Sequence, residues 1–379
     1  MTGTQAGAGP TGERGRGWQS EAGTGQAPAA EDGAASYAGA GVDISAGDRA
    51  VELMRGAVAR TTRPEVVGGL GGFAGLFDVS GFSRLRRPLL ATSTDGVGTK
   101  VVIAQRLGRY DTVGIDLVAM VADDVVVCGA EPLFMTDYLV FGRVIPERVA
   151  AVVAGIAEGC ARAGCALVGG ETAEHPGHLA ADAFDIAGAA TGVVDGDALL
   201  GAGRVRPGDA LIAMASSGLH ANGFSLVRNV LERHGLPLDA EPAELGQPLG
   251  EALLTPSRIY ARDCLALAGA CDVHAYAHIT GGGLAANLGR VLPPDADAVT
   301  DRGTWSPLPV FRWLNGPGGV PNDEMERVFN MGAGMVAVLA PDDADRAVAL
   351  LAGRGVPSWV IGHVTEGNGR SRLTGSYRS

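Results

Sequence analysis

The segment that most constrains the fold is 111–130, DTVGIDLVAMVADDVVVCGA, because it predicts a very apolar helix that carries three carboxylates. Asp116 and Asp123 are seven residues apart and share a face, whereas Asp124 is rotated toward an adjacent face. A carboxylate on a buried helix is costly unless its charge is compensated. The three must therefore be paired, protonated or bound to a metal. For Asp116 alone, a place on a solvent-exposed face is the alternative.

A loop of glycines and one acid, TSTDGVGTK, lies at 92–100, shortly before this helix. Gly96 and Gly98 let the backbone approach a phosphate closely, and the N–H groups at the start of the next helix favour an anion. Asp95 beside them suits Mg²⁺, which prefers oxygen ligands. Thr99 precedes Lys100, the reverse of the order in a Walker loop, so that mechanism does not transfer. A tight Asp-Gly turn is the purely structural alternative.

Four further glycine-rich segments combine backbone freedom with polar side chains. They are GGLGGF (Gly69, Gly71 and Gly72), VGGETAEHPG (Gly170, Glu171 and Thr172), SSGLHANGFSL (Ser217, His220, Asn222 and Gly223) and HITGGGLAANL (Gly281, Gly282 and Gly283). The first is a flap or a loose surface loop, and the second follows a strand end, where α/β proteins place ligands. The last two each predict an anion pocket. Together they suggest that two phosphorylated ligands meet at a domain interface.

Predicted strands and helices alternate along both halves of the chain. The strands are 89–94, 133–142, 165–170, 184–194, 210–218 and 273–279, the helices are 99–109, 111–130, 146–164, 222–235 and 256–270, and a strand–helix–strand unit closes the chain. A segment rich in Gly, Asp and Arg at 195–210 separates the halves. We therefore predict an α/β (α+β) protein with a disordered tail (1–35), an N-terminal domain (36–200) and a C-terminal domain (201–379).

Composition excludes several classes of partner. The net charge of −12 disfavours nucleic acid and anionic membranes as partners. No apolar run reaches the roughly 20 residues that span a bilayer, and the first 35 residues lack the apolar segment of a secretory signal. The five cysteines form no CxxC pair, which is typical of reduced, buried thiols. We therefore expect a cytoplasmic protein that binds neither nucleic acid nor membrane.

Many long motifs, in order from about Tyr37 almost to the end of the chain, resemble the aminoimidazole ribonucleotide synthetase family, the phosphoribosylformylglycinamidine cyclo-ligases. They include AGVDI, RPEVVGGLGGF, TDGVGTK, GIDLVAM, LVGGETAE, SSGLHANGFSLVR, HITGGG and EMERVFNMGAGM. The resemblance implies an ATP-dependent ring closure of formylglycinamidine ribonucleotide in purine synthesis. It also implies a homodimer, in which the N-terminal domain contributes strands to an intersubunit β-barrel and a C-terminal α+β domain packs beside it.

The resemblance also implies roles for the residues of the loops described above. Asp95, Lys100 and His220 would be catalytic, and Asp95, Asp124 and Glu171 would hold Mg²⁺. ATP would bind Gly69, Gly71, Gly72, Gly96, Gly98, Thr99, Lys100, Gly170, Glu171 and Thr172, whereas the ribonucleotide would bind Ser217, His220, Asn222, Gly223, Gly281, Gly282 and Gly283.

Two positions depart from the usual pattern of the family. Ala38 stands where a lysine is common, so a nucleotide contact from that lysine is absent or supplied otherwise. Asp123 stands where an asparagine is common, and we expect its extra charge to raise the local need for Mg²⁺. A non-catalytic or kinase-like paralogue of the same ATP-binding superfamily is the alternative function.

Overall fold

A computed structural model describes residues 40–69 and 71–378, so the predicted tail 1–35 and Ala38 lie outside the described residues. The first half contains α1 (Ile44–Ala59), β1 (Val66–Val67), β2 (Leu76–Phe77), β3 (Pro88–Gly96), α2 (Lys100–Leu107), α3 (Val113–Val126), β4 (Glu131–Phe141), α4 (Pro146–Ala163), β5 (Ala166–Glu174) and β6 (Phe184–Asp195). The strands and helices predicted in this half are all present, and Pro146 begins α4 as the sequence predicted.

A four-stranded sheet in the order β3-β6-β4-β5 organises the first half. β6 runs antiparallel to β3 and β4, whereas β4 and β5 are parallel. The apolar helix α3 packs across β3 and β6 and against α4, so one face of the sheet is covered. The opposite face is open, and its Leu90 and Tyr138 are 69% and 42% exposed. The described residues of this single chain form no closed barrel.

The second half contains a six-stranded sheet flanked by helices. Its elements are β7 (Ala210–Ala215), α5 (Phe224–His234), α6 (Leu249–Leu254), α7 (Ala261–Ala268), β8 (Val273–His278), α8 (Gly283–Gly289), β9 (Ala296–Asp301), α9 (Pro309–Asn315), α10 (Asn322–Val328), β10 (Ala333–Leu339), α11 (Ala344–Gly353), β11 (Ser358–Glu366) and β12 (Ser371–Thr374). The strand order is β12-β9-β11-β7-β10-β8, and only the β12–β9 pair is parallel among these described strands. The predicted fold class, with two mixed sheet-containing halves, is confirmed.

One hydrophobic core runs through both halves, because buried residues of α3, such as Val125, belong to the same cluster as Leu253 and Tyr260. The helix predicted at 256–270 begins later than expected, at Ala261. The reason is that Ser257 and Tyr260 donate their backbone N–H groups to carboxylates of α3 instead of entering a helical turn. The halves therefore meet through specific polar contacts as well as apolar packing.

Candidate functional site

An acidic cluster lies where β3, α3 and β8 converge between the two halves. His278 donates from Nδ1 to Asp124 Oδ1 at 2.9 Å, and Ser93 Oγ lies 3.4 Å from the other carboxylate oxygen of Asp124. Burial raises the pKa of Asp95, and the negative charge of Asp124 adds to this, although the N–H of Gly96 acts in the opposite direction. Two neighbouring carboxylates that repel each other favour a cation between them. His278 is a member of this cluster that the sequence analysis did not single out.

A cavity of about 250 Å³ opens beside this cluster, between the loop 95–99 and the segment 221–225. Thr99 Oγ1 and Ser225 Oγ are 3.2 Å apart and join the two walls. The left-handed φ angles of Gly98 (53°) and Gly223 (80°) turn the chain into the helices α2 and α5. Both helices therefore begin at the cavity, and a helix start is a place that suits a phosphate. We call this space the anion cavity; both halves contribute to its lining, which also includes Asn222.

Lys100 does not contact this cavity as the sequence analysis expected. Its side chain is completely buried, and Nζ donates at 2.9 Å to Asp116 Oδ1, to the carbonyl of His220 and to the carbonyl of Thr255. A lysine ammonium has three N–H bonds, so none remains for a phosphate. The predicted catalytic and ATP-binding roles of Lys100 are therefore corrected: the side chain faces inward because Asp116 provides its counter-charge.

The carboxylates of α3 have three different environments. Asp116 is not exposed but paired with Lys100, and Asp124 belongs to the acidic cluster. Asp123 is fully buried and accepts from the backbone N–H of Tyr260 at 2.9 and 3.1 Å, at the start of α7. Burial raises the pKa of Asp123 to about 7, although the charge of His278 and the N–H of Tyr260 lower it. The expectation that Asp123 raises the need for Mg²⁺ is wrong, because its oxygens are bound to α7.

His220 is a structural member of its loop rather than a free catalytic base. The ring is 2% exposed, and its Nε2 accepts from the backbone N–H of Ser217 at 3.2 Å. Burial lowers the pKa of His220 well below its usual value, with nearby positive charges in the same direction, so the ring is a neutral acceptor. The hydroxyl of Ser217 is also occupied, because it donates to the carbonyl of Pro256 at 2.6 Å. The predicted substrate contacts of these two side chains are therefore corrected, because both are bonded within the protein.

The TGGG loop approaches the SSGLHANG loop closely, because a Cβ on Gly281 would lie 3.4 Å from Asn222 Oδ1. Gly282 and Gly283 have positive φ angles of 97° and 68°. A side chain on Gly283 would collide with the carbonyl of Glu326, which explains a glycine there on packing grounds alone. Gly281 and Gly282 therefore remain the better candidates for a ligand contact.

A second and larger cleft, of about 930 Å³, lies at the β5 edge of the first sheet. It is lined by glycines of the flap (Gly69, Gly71 and Gly72), by Gly170, Glu171 and Thr172, and by residues of α1. Asp137, which was not predicted as a site residue, also lines this cleft, and burial raises its pKa to about 7. The carboxylate leans over Gly170, where a Cβ would collide with it. A single acid inside a predicted strand carries no sequence signal that would have identified it.

Glu171 does not join Asp95 and Asp124 within one chain. In the register of the sheet, Glu171 pairs with Tyr138, Tyr138 with Ala187, and Ala187 with Gly96. Three strand spacings separate Glu171 from the Asp95 loop, roughly 14 Å, whereas Mg²⁺ binds its oxygens at roughly 2.1 Å. Within one chain, only Asp95 and Asp124 of the predicted three carboxylates come together, and the described residues contain no group of three or more potential metal ligands.

Comparison with known proteins identifies the family. Residues 80–194 match AIR synthase related protein, N-terminal domain, and residues 206–373 match AIR synthase related protein, C-terminal domain. A phosphoribosylformylglycinamidine cyclo-ligase of Geobacillus kaustophilus (strain HTA426) is 49% identical over 339 residues, which cover 89% of this chain and 98% of that relative. The chain belongs to the phosphoribosylformylglycinamidine cyclo-ligase family. The family predicted from the motifs is confirmed, and the chain is an enzyme of the ligase class.

Other relatives agree with this assignment. A cyclo-ligase of the same name from Anaeromyxobacter sp. (strain Fw109-5) is 50% identical over 338 residues, 89% of this chain and 97% of the relative. Among solved structures, the thiamine-monophosphate kinase of Stenotrophomonas maltophilia K279a has a TM-score of 0.62 at 21% identity and covers 86% of this chain and 96% of its own. The hydrogenase maturation protein HypE in complex with ATP has a TM-score of 0.60 at 20% identity, covering 87% of this chain and 91% of its own. The two structures share the fold of this chain.

Proposed function

We propose that the chain catalyses the ATP-dependent cyclisation of formylglycinamidine ribonucleotide to 5-aminoimidazole ribonucleotide, with release of ADP and phosphate, in de novo purine biosynthesis. The observation that carries the proposal is the anion cavity built from both halves, with Asp95 at its edge and Asp124 in the adjoining acidic cluster, in a chain about half identical to named cyclo-ligases. A cavity between two helix starts, next to two carboxylates, suits a reaction in which a phosphoryl group moves between two ligands.

The chemistry requires a leaving group to be created on an amide. Phosphorylation of the formyl oxygen by ATP gives an imino-phosphate, and the amidine-side nitrogen then attacks that carbon while phosphate departs. Because the attack is intramolecular, the second step depends mainly on positioning of the two ends of the ribonucleotide. The first step depends on stabilising the charge of the phosphoryl group in transfer.

The residues of the chain fit these two requirements. The N–H groups at the starts of α2 and α5 would hold phosphate oxygens, and Gly96, Gly98, Thr99 and Gly223 shape that cradle. Asp95 and Asp124 provide the oxygen donors that Mg²⁺ prefers, and their mutual repulsion favours a cation. The metal would neutralise phosphate charge during transfer. Asn222, Gly281 and Gly282 would contact the ribonucleotide from the second half.

The larger cleft is the better candidate for the rest of the nucleotide. Its volume of about 930 Å³ is several times that of the anion cavity, and glycine-rich backbone forms much of its lining. Gly170, Glu171, Thr172 and the flap glycines would then bind ATP without a metal role for Glu171. Phe73 at the end of the flap is fully exposed and available to close over a ligand. We propose no contact from the Lys100 side chain, whose three N–H bonds all point into the protein.

We further propose that the protein is a cytoplasmic homodimer without nucleic-acid or membrane partners. The open face of the first sheet, with exposed Leu90 and Tyr138, supports a second copy as its cover. A dimer through this sheet would also protect the free edges of β3 and β5. No described helix is long and apolar enough to cross a membrane.

The test is a coupled assay of the purified protein with ATP, Mg²⁺ and formylglycinamidine ribonucleotide, in which ADP and the aminoimidazole are measured together. Equal amounts of both products are expected, with no ADP when the ribonucleotide is omitted. ADP without the imidazole would point to a kinase-like activity on another acceptor. Bound nucleotide without either product would indicate a non-catalytic paralogue and refute the proposed function.

A further inference from the structure

Beneath the anion cavity, the buried ion pair of Lys100 and Asp116 connects the first half of the chain with the His220 loop and with the segment 255–257. The side chains of Lys100 and Asp116 are both completely buried, and Lys100 Nζ also donates to the carbonyls of His220 and Thr255. Asp116 Oδ1 in turn accepts from the backbone N–H of Ser257 at 2.8 Å and from its hydroxyl at 2.6 Å. The first half of the chain therefore supplies the two charges, and the second half supplies the groups that they hold.

The pair lies directly behind both walls of the cavity. Lys100 immediately follows the loop 95–99 that forms one wall, and His220 immediately precedes the segment 221–225 that forms the other. His220 has a left-handed φ of 61°, a conformation that a residue with a side chain adopts only when its surroundings stabilise it. The bond from Lys100 to the His220 carbonyl holds the loop in that conformation. Lys100 thus helps to fix the separation of the two walls, beside the direct contact of Thr99 with Ser225.

Stability alone does not account for this arrangement. Burial lowers the pKa of Lys100 and raises that of Asp116, because both charges lose their hydration. A pair of apolar side chains of similar volume generally supports folding as well as a buried ion pair does. An apolar pair would also pack the two halves together, but it would not fix the directions of the His220 and Thr255 carbonyls. The ion pair therefore contributes the orientation of the segments that carry these carbonyls.

We propose that Lys100, held by Asp116, is a positioning residue that sets the His220 loop at the distance from the Asp95 loop that the ribonucleotide requires. This inference rests on the proposed function, since it assumes that the cavity between the loops holds a phosphorylated ligand. The pair acts through the His220 and Thr255 carbonyls and touches no ligand itself. Loss of the ion pair should therefore weaken ribonucleotide binding more than ATP binding. The reason is that the carbonyls bonded by Lys100 belong to the second half, which is proposed to contact the ribonucleotide.

The main test is the double variant Lys100→Met/Asp116→Leu, which keeps side-chain volume but removes the directional bonds. We expect a folded protein whose KM for formylglycinamidine ribonucleotide rises by about tenfold or more, since small displacements in a site are costly. The KM for ATP should change by less than about threefold, because only the binding of the ribonucleotide is expected to weaken. A folded Asp116→Asn variant keeps an acceptor oxygen for Ser257 and should retain more ribonucleotide affinity than the double variant, which a purely structural role would not require.

Arg63→Met is the matched control. Arg63 also bonds carboxylates, those of Glu65 and Glu131, and two carbonyls, those of Pro132 and Gly164, but it lines neither of the two ligand cavities. It should leave the KM for the ribonucleotide unchanged. An unchanged ribonucleotide KM in a folded Lys100→Met/Asp116→Leu variant would overturn the inference. An equal rise in the control would do the same, because it would show that any loss of such a network has this effect.

If the double variant does not fold, hydrogen exchange of the wild type tests whether Lys100 links the two loops. Addition of ATP should slow amide hydrogen exchange in 216–220, which lines neither ligand cavity, as well as in 95–99, because Lys100 links the two loops. Protection confined to 95–99 would refute the link. A wild type that forms no imidazole defeats the proposed function, whereas an active wild type with an unaffected variant defeats only this inference.

Discussion

Replacement of Asp123 by asparagine should stabilise the protein, and the gain should depend on pH. Asp123 is fully buried and accepts from the N–H of Tyr260 with both carboxylate oxygens. Burial raises its pKa from the usual 3.8 to about 7 in the folded protein. An asparagine offers an acceptor oxygen to the same N–H without a charge that must be buried. The variant therefore removes the cost of ionisation while keeping a hydrogen bond.

The sign and size of the effect follow from the two pKa values. The folded state holds the proton up to about pH 7, whereas the unfolded chain loses it above 3.8, so stability is lost as pH rises through that window. At pH 8 Asp123 is ionised in both the folded and the unfolded state, so the whole difference between its two pKa values lowers stability. At 1.36 kcal/mol per pKa unit, this cost is roughly 4 kcal/mol. At pH 5 the cost is roughly 2 kcal/mol, because only part of the window has been crossed. Asparagine removes this cost at either pH.

Thermal unfolding of wild type and Asp123→Asn at pH 5 and pH 8 measures the effect. We expect the rise in Tm to be about twice as large at pH 8, in proportion to the two costs. Asp239→Asn, at an exposed position, is the control and should change Tm by no more than about a degree at either pH. A lower Tm for Asp123→Asn at pH 8 would refute the reasoning. It would show that the start of α7 and His278 stabilise the carboxylate by more than burial costs.

Four other changes probe the cavity, the cleft, the helix crossing and the open sheet. Asp95→Asn should abolish ATP turnover with circular dichroism unchanged, and wild-type turnover would remove Asp95 from the site. Gly170→Ala places a Cβ against the carboxylate of Asp137, so the KM for ATP should rise; an unchanged value would separate this cleft from nucleotide binding. Gly114→Ala, at the crossing of α3 and α4, forces a Cβ into the backbone of α4, and urea unfolding should show a loss of about 1–3 kcal/mol in stability. Unchanged stability would show that α3 and α4 can move apart to make room. Leu90→Glu should yield a monomer by light scattering, whereas a persistent dimer would exclude the open sheet face as the interface.

Local signals explain why most elements were predictable. The alternation of strands and helices follows from hydrophobic periodicity, and Gly235 ends α5 in a left-handed conformation with φ 59°, as expected of a C-cap. The glycine loops were predicted near their observed positions because glycine marks places where the chain must turn or approach a ligand. The family also followed from the sequence, since many long motifs occur in one order.

Side-chain roles were less predictable, and the acidic helix shows why. The sequence established that Asp116, Asp123 and Asp124 required compensation, but three different partners provide it. Two of these partners, Tyr260 and His278, are 137 and 154 residues away along the chain. No periodicity within a helix encodes which of them each carboxylate meets.

The amino-acid sequence by itself determined the fold class, the order of most strands and helices, the loops of the candidate site and the family. These depend on short-range patterns of apolar residues, glycines and acids. Only the tertiary structure decided that Lys100 faces inward, that His220 is a buried acceptor and that Glu171 lies three strands from the Asp95 loop. Each of these outcomes is set by burial and by partners from distant segments, because a charge or a donor in the interior must be satisfied by whatever the fold places beside it.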